Sequence, residues 1–258
     1  MTIRQAIGQF AKKRALKSKQ KLRTTVPNIL TLGNACFGFF SIMQALKGNV
    51  VAAAYCILVA AVLDLLDGRV ARYLSSVSYM GAELDSLCDV VSFCVAPATL
   101  LYSYCLQESG TFVVLALIIY LCAGLFRLAK FNTTTDHASP FFSGLPTPMG
   151  ACFLASLIMY HPWLAKHGLS FFILPKELIV AAIVIALLMV SPIPFPSFKR
   201  YKITHRYGLP LLFAGMLFTC VGLLARYPVL FFISFSYIVV ALCAFIVDWA
   251  IRWRALKS

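Results

Sequence analysis

The sequence predicts an all-α fold, a polytopic membrane helix bundle of about eight transmembrane helices, and three observations predict it. Hydrophobic residues make up 61% of the 258 and charged residues only 12%, about half the charge of a soluble domain. Apolar runs of roughly 18–22 residues, each long enough to cross a bilayer, recur at about 26–46, 49–67, 82–106, 111–131, 147–164, 171–191, 208–225 and 228–250. The basic residues alternate with these runs. If the N-terminus is cytoplasmic, that side holds 19 of the 23 Lys and Arg, and the far side keeps only Lys47, Lys166, Lys176 and Arg226. Such asymmetry obeys the positive-inside rule. It also requires an even number of spans, with both termini on the cytoplasmic side.

Residues 1–24 form a basic segment with eight Lys and Arg. A membrane span follows at once, so the segment reads as an interfacial flank attracted to anionic lipid, with no nucleic-acid partner. It lacks the short apolar stretch and small-residue site of a cleavable signal peptide. Span one opens at Pro27, a residue suited to a first helical turn. Asn28, Thr31 and Asn34 then form one polar stripe, read either as capping and helix contacts or as contacts to a nucleotide. Nine cysteines lie mostly in apolar runs with no Cys-x-x-Cys pair, the pattern of small buried hydrophobes. The four scattered histidines give no metal spacing.

The acidic residues are concentrated. Asp64, Asp67, Glu83, Asp85 and Asp89, five of the nine, fall within 26 positions at the junction of spans two and three. A carboxylate near hydrocarbon is expensive unless paired or metal-bound. Asp64 and Asp67 share one helix face, and Asp85 and Asp89 share a face on the next, antiparallel helix. Four oxygen donors meeting at one membrane level suit hard divalent cations, Mg2+ or Mn2+, two of which can clamp a phosphoryl group in transfer. Gly68 leaves room for a ligand at the backbone, Ala71 and Gly81 remove bulk, and Arg72 offers a planar fork to a phosphate.

Residues 64–89 read Asp-x-x-Asp-Gly-x-x-Ala-Arg, eight residues, then Gly-x-x-x-Asp-x-x-x-Asp. This resembles the signature of the CDP-alcohol phosphatidyltransferase family at every defined position. The resemblance implies a six-helix catalytic core within residues 25–206, a homodimer, and a two-metal site open to the cytoplasm. It implies Asp64, Asp67, Asp85 and Asp89 as metal ligands, Asp89 also as the general base, and Gly68, Ala71, Arg72 and Gly81 as the cradle of the CDP group, with Asn28 and Thr31 beside them. No covalent nucleophile with a paired base stands out, so direct transfer is expected. Residues 207–258 would add two lipid-facing or dimer-facing helices and a short basic tail.

The motif does not name the acceptor. Four further stretches, Ser92–Ala98, Phe126–Asn132, Phe142–Pro148 and Ser191–Lys199, resemble the phosphatidylserine synthase branch, although that branch often has Gly in place of Cys94 and Arg in place of Lys130. The implied donor is CDP-diacylglycerol and the implied acceptor L-serine. A zwitterionic acceptor needs a cation for its carboxylate. Arg127, Lys130 and Lys199 are available, with Asn132 as a neutral partner; each also reads as an ordinary cytoplasmic anchor. Glycerol 3-phosphate, inositol or choline would use the same chemistry. A rival class, an ion-coupled transporter, fits eight spans but not acids placed at one edge of a chain without internal repeats.

Overall fold

A computed structural model describes residues 3–74, 78–105, 110–133, 141–159, 166–168, 175–196 and 233–239, with side chains from Thr25 onward except in two short strands. The architecture is a helix bundle. In chain order it contains α1 (Ile3–Leu46), α2 (Val50–Tyr73), α3 (Tyr79–Tyr104), α4 (Thr111–Thr133), α5 (Thr147–Met159) and α6 (Pro175–Val190). Two three-residue strands, β1 (Phe141–Ser143) and β2 (Pro194–Pro196), pair antiparallel with Phe142 opposite Phe195. Four helical stretches, Thr25–Leu46, Val50–Tyr73, Tyr79–Tyr104 and Thr111–Thr133, have the length and apolar composition to cross a bilayer. The protein is an integral membrane protein. The seventh expected span and most of the eighth lie outside the described residues.

Two boundaries differ from the sequence reading. Pro27 does not begin a helix: α1 runs through it from Ile3, joining the basic flank to span one. The proline costs one backbone hydrogen bond, at the polar edge of the apolar stretch, where membrane helices tolerate it. Helix α2 continues past the expected end at 67 to Tyr73, so the whole first half of the acidic motif rides on one uninterrupted helix.

Small residues let the helices approach closely, as in membrane bundles generally. Ala53, Ala54 and Ala60 on α2, Ala151 and Ala155 on α5, and Ala182 and Ala186 on α6 are all buried. Gly150 admits Met189 and Ile185 from α6. Hydroxyls tie neighbouring helices together: Ser41 donates to the Ala53 carbonyl at 2.8 Å and Ser103 to the Ala45 carbonyl at 2.6 Å. Leu46, Phe39, Phe40, Leu115 and Leu187 point outward, the expected lipid face of such a bundle.

Helix α3 carries a π-helical turn over Val90–Val95, and Pro97 accounts for it. Proline has no N–H for the carbonyl four residues back and its ring displaces that carbonyl. The carbonyl in question belongs to Phe93, and the buried Tyr120 hydroxyl on α4 donates to it at 2.9 Å. The Ala96 N–H reaches Val91 instead, the five-residue spacing of a π turn. This widened turn begins directly after Asp89.

Residues 233–239 form a further helical segment. Ser234 and Ile238 are buried, Tyr237 packs on the core, and Phe235 stacks on Phe153 with ring centroids 6.5 Å apart. This part of the expected last span presents one face to the bundle core and leaves Ile233, Phe235 and Val239 exposed.

Candidate active site

A cavity of about 160 Å³ opens between the start of the membrane-spanning part of α1, the last turns of α2 and the first turns of α3. Its walls include Asn28 and Thr31 from α1, Asp67, Gly68, Ala71 and Arg72 from α2, and Gly81 and Asp85 from α3. All but Asp64 and Asp89 of the motif residues thus face one space. The small residues make it possible: a Cβ on Gly81 would stand 3.0 Å from the Ser78 hydroxyl and 3.5 Å from the Asn28 side-chain oxygen. Ser78, which the sequence reading passed over, is the N-cap of α3 and accepts from the Gly81 N–H at 3.0 Å. Its signal was available, a serine directly ahead of the first residue of a helix.

At the inner edge of this cavity, carboxylate oxygens of Asp64, Asp67 and Asp85 lie within 4.8 Å of one another. Two oxygens on opposite sides of one magnesium ion stand about 4.2 Å apart, twice the usual ~2.1 Å bond. The cluster therefore needs little closure to share an ion. Asp67 is buried, and its Oδ2 has no hydrogen-bond partner among the described residues. A buried carboxylate oxygen without a donor is costly, and a divalent cation would satisfy it. The donor set, all oxygen, suits a hard ion. The residues present fit a metal site.

Asp89 is placed differently. It lies one turn beyond Asp85 on α3, about 6 Å along the axis, and is not part of the close carboxylate group. It is 8% exposed, within electrostatic reach of Asp64, Asp85 and Asp67. Its Oδ1 accepts a hydrogen bond from the Asn34 amide at 3.1 Å. Asn34, grouped by the sequence with Asn28 and Thr31, has rotated out of their stripe: the first two line the cavity and Asn34 meets Asp89. Thr31 sits against Asp67, and its hydroxyl donates to the Pro27 carbonyl at 3.1 Å.

The candidate acceptor residues separate as well. Arg127, near the end of α4, is 8% exposed. Its Nη1 donates to the Thr147 hydroxyl at 2.9 Å, and its Nε has no hydrogen-bond partner among the described residues. Both Asp89 and Tyr237 are within its electrostatic reach. Lys130 and Asn132 are exposed, and Asn132 exchanges hydrogen bonds of 2.9 and 3.1 Å with Ser86 on α3. Lys199 lies outside the described residues. Thr147 is set by the ribbon before it. Gly144, at φ 82°, packs over the Met189 carbonyl where a Cβ would collide. The Gly144 and Leu145 N–H groups bond to the carbonyls of Ile193 and Leu188 at 2.9 and 3.0 Å. The stretches around 144 and 193, far apart in sequence, thus meet beside Arg127.

Aspartates, an arginine and small residues thus surround one cavity between the membrane helices. The CDP-alcohol phosphatidyltransferase profile matches residues 24–193, and the chain belongs to this family. It is 33% identical over 224 residues to a CDP-diacylglycerol–serine O-phosphatidyltransferase of Mycobacterium tuberculosis (strain ATCC 25618 / H37Rv), covering 82% of this chain and 75% of that protein. The enzyme of the same description from Bacillus subtilis (strain 168) is 36% identical over 180 residues, 68% of this chain and 92% of its own. An archaetidylserine synthase of Methanothermobacter thermautotrophicus (strain ATCC 29096 / DSM 1053 / JCM 10044 / NBRC 100330 / Delta H) is 35% identical over 175 residues, 66% of this chain and 69% of its own.

Proposed function

We propose that this protein transfers a phosphatidyl group from CDP-diacylglycerol to the hydroxyl of L-serine, releasing CMP and phosphatidylserine. The observation that carries the reading is the single cavity into which Asn28, Thr31, Gly68, Ala71, Arg72 and Gly81 open, with the aspartate cluster at its edge. In this reading the nucleotide lies against the small residues and Arg72 holds a phosphate of the diphosphate with its planar fork. Asp64, Asp67 and Asp85, with Asp89 alongside, hold two divalent cations, Mg2+ or Mn2+, which when bound offset the charge of the diphosphate and of departing CMP.

The serine hydroxyl oxygen bonds to the lipid-linked phosphorus. The bond from that phosphorus to the CMP oxygen breaks, and its electron pair leaves with CMP. Asp89 takes the hydroxyl proton. In this reading Arg127, which donates to Thr147, binds the serine carboxylate, and Lys130, Asn132 and Lys199 are the further acceptor-binding candidates. In this reading the active site and both termini face the cytoplasm, which the distribution of basic residues favours, and the enzyme works as a homodimer. The relatives named above, two of them serine transferases, support serine over glycerol 3-phosphate, inositol or choline. The transporter reading has no support among them.

The test is direct. Purified protein is given CDP-diacylglycerol, Mn2+ or Mg2+, and a panel of alcohols, and CMP release is followed. Serine should be the preferred acceptor. Preference for another alcohol overturns the acceptor, and absence of CMP release with every alcohol overturns the transfer reading.

A further inference from the structure

We propose that Asn34 is a positioning residue for the transfer step: its side-chain amide holds Asp89 by one carboxylate oxygen and turns the other toward the acceptor hydroxyl. The proposal rests on Asp89 as the proton acceptor and adds the device that aims it. The two residues come from different helices, 55 positions apart, and their contact is 3.1 Å between Asn34 Nδ2 and Asp89 Oδ1. Asn34 is fully buried and Asp89 nearly so, which strengthens a hydrogen bond between them.

The orientation of the amide follows from its partner. The reverse orientation would set Asn34 Oδ1 against a carboxylate oxygen, two acceptors without a proton between them. As placed, Oδ1 has no hydrogen-bond partner among the described residues. A buried acceptor without a donor is unfavourable, and an apolar residue of this size would avoid it. The donor half of the amide is what this position supplies.

The backbone of Asn34 is held too. Its carbonyl accepts from the buried Ser92 hydroxyl at 3.0 Å. Ser92 lies in the π turn that Pro97 induces, three residues beyond Asp89. One turn along α1, a Cβ at Gly38 would overlap Ser92; the glycine is what lets α3 approach this closely. The Asn34–Asp89 and Ser92–Asn34 bonds, made possible by Gly38, fix the height of α1 against α3 at the level of Asp89.

The experiment is a double-mutant cycle on the full-length protein in detergent, with Asn34→Leu and Asp89→Asn alone and together. Turnover is measured with CDP-diacylglycerol and serine. CMP-dependent thermal shift and Mn2+ titration by electron paramagnetic resonance report on the two sites without turnover. Asn34→Leu should lower kcat about 10- to 100-fold, the range for a hydrogen bond to a charged group. The KM for CDP-diacylglycerol and the Mn2+ affinity should stay within about three-fold. In the Asp89→Asn background the same substitution should cost nothing further, because its effect passes through the missing base. An equal loss in both backgrounds overturns the proposal. So does a raised donor KM with kcat kept, which would make Asn34 a nucleotide contact. Loss in Asp89→Asn without loss in Asn34→Leu refutes the positioning role alone, whereas undiminished turnover in Asp89→Asn refutes the base assignment and the proposal with it. If Asn34→Leu shows no CMP-dependent shift, the cycle is run with Asn34→Ser, which keeps a small polar side chain too short to reach Asp89.

Discussion

Replacing Asp67 by Asn should stabilise the metal-free protein and disable the metal-bound one. Three carboxylates within 4.8 Å repel. At an effective dielectric constant of about 20 each pair at that distance costs ~3.5 kcal/mol. Asn at position 67 removes two of the three pairs. Asp64 and Asp85 are only half-buried, so solvent and salt reduce the gain to roughly 2 kcal/mol. No hydrogen bond is lost in exchange, because the Asp67 Oδ2 that becomes an amide nitrogen has no partner among the described residues and would then donate to a neighbouring carboxylate. A gain of that size raises the melting temperature by about 4–8 °C for a chain of this length. The assay is thermal unfolding in detergent, with chelator and with saturating Mn2+. In chelator Asp67→Asn should melt above wild type. In Mn2+ the order should reverse, since wild type gains the free energy of ion binding and the variant does not. Turnover should fall by at least ~10²-fold. If the variant melts below wild type in chelator, or if Mn2+ shifts both proteins equally, the carboxylate cluster is not the metal site.

Excess chelator should abolish CMP release, and added Mg2+ or Mn2+ should restore it, because a divalent ion would offset the three gathered carboxylates and satisfy the Asp67 Oδ2 that has no hydrogen-bond partner among the described residues. Arg127→Lys keeps the charge but loses the fork, and should raise the KM for serine at least ~10-fold with little change for CDP-diacylglycerol; an unchanged serine KM would move the carboxylate contact to Lys130 or Lys199. Gly124→Ala would set a methyl 2.6 Å from Cys94 Sγ and should cost about 1–3 kcal/mol in thermal stability, as overpacking does. Adding Cys94→Ala leaves 3.5 Å to the Cβ and should recover most of that loss, measured by the same melting curves.

The class of fold and the chemistry were legible because both are written locally. Apolar length announces a membrane helix, and aspartates spaced three and four apart announce a shared face whatever the rest of the chain does. The cavity residues Asn28, Thr31, Gly68, Ala71, Arg72 and Gly81 could be named for the same reason. What was not legible depends on rotation and depth. Asn34 follows Thr31 by three positions, which suggests one stripe, but Asp89 lies deeper on α3 and draws Asn34 out of it. Pro27 looked like a helix start because proline favours that position in water-soluble helices; in a membrane helix the sequence on both sides stays helical. The π turn after Asp89 was written in Pro97, yet its consequence depends on Tyr120 being at hand to take the Phe93 carbonyl, and that is a tertiary fact.

The same distinction explains why the surroundings of Arg127 were harder to read than the cavity. The cavity is built by two consecutive helices and the helix before them, so sequence neighbours become spatial neighbours. The surroundings of Arg127 are assembled from four distant places. Arg127 comes from α4, Thr147 from α5, the Gly144 turn is pinned by the carbonyls of Leu188 and Ile193, and Tyr237 comes from a helix beyond the part matched by the family profile. Each residue alone is unremarkable in sequence, an anchor, a cap, a turn and a core aromatic. Only packing turns them into surroundings for one guanidinium. Under the acceptor role proposed for Arg127, substitutions in any of the four segments would change the acceptor while the aspartate motif stays fixed, so that one mechanism could serve several alcohols.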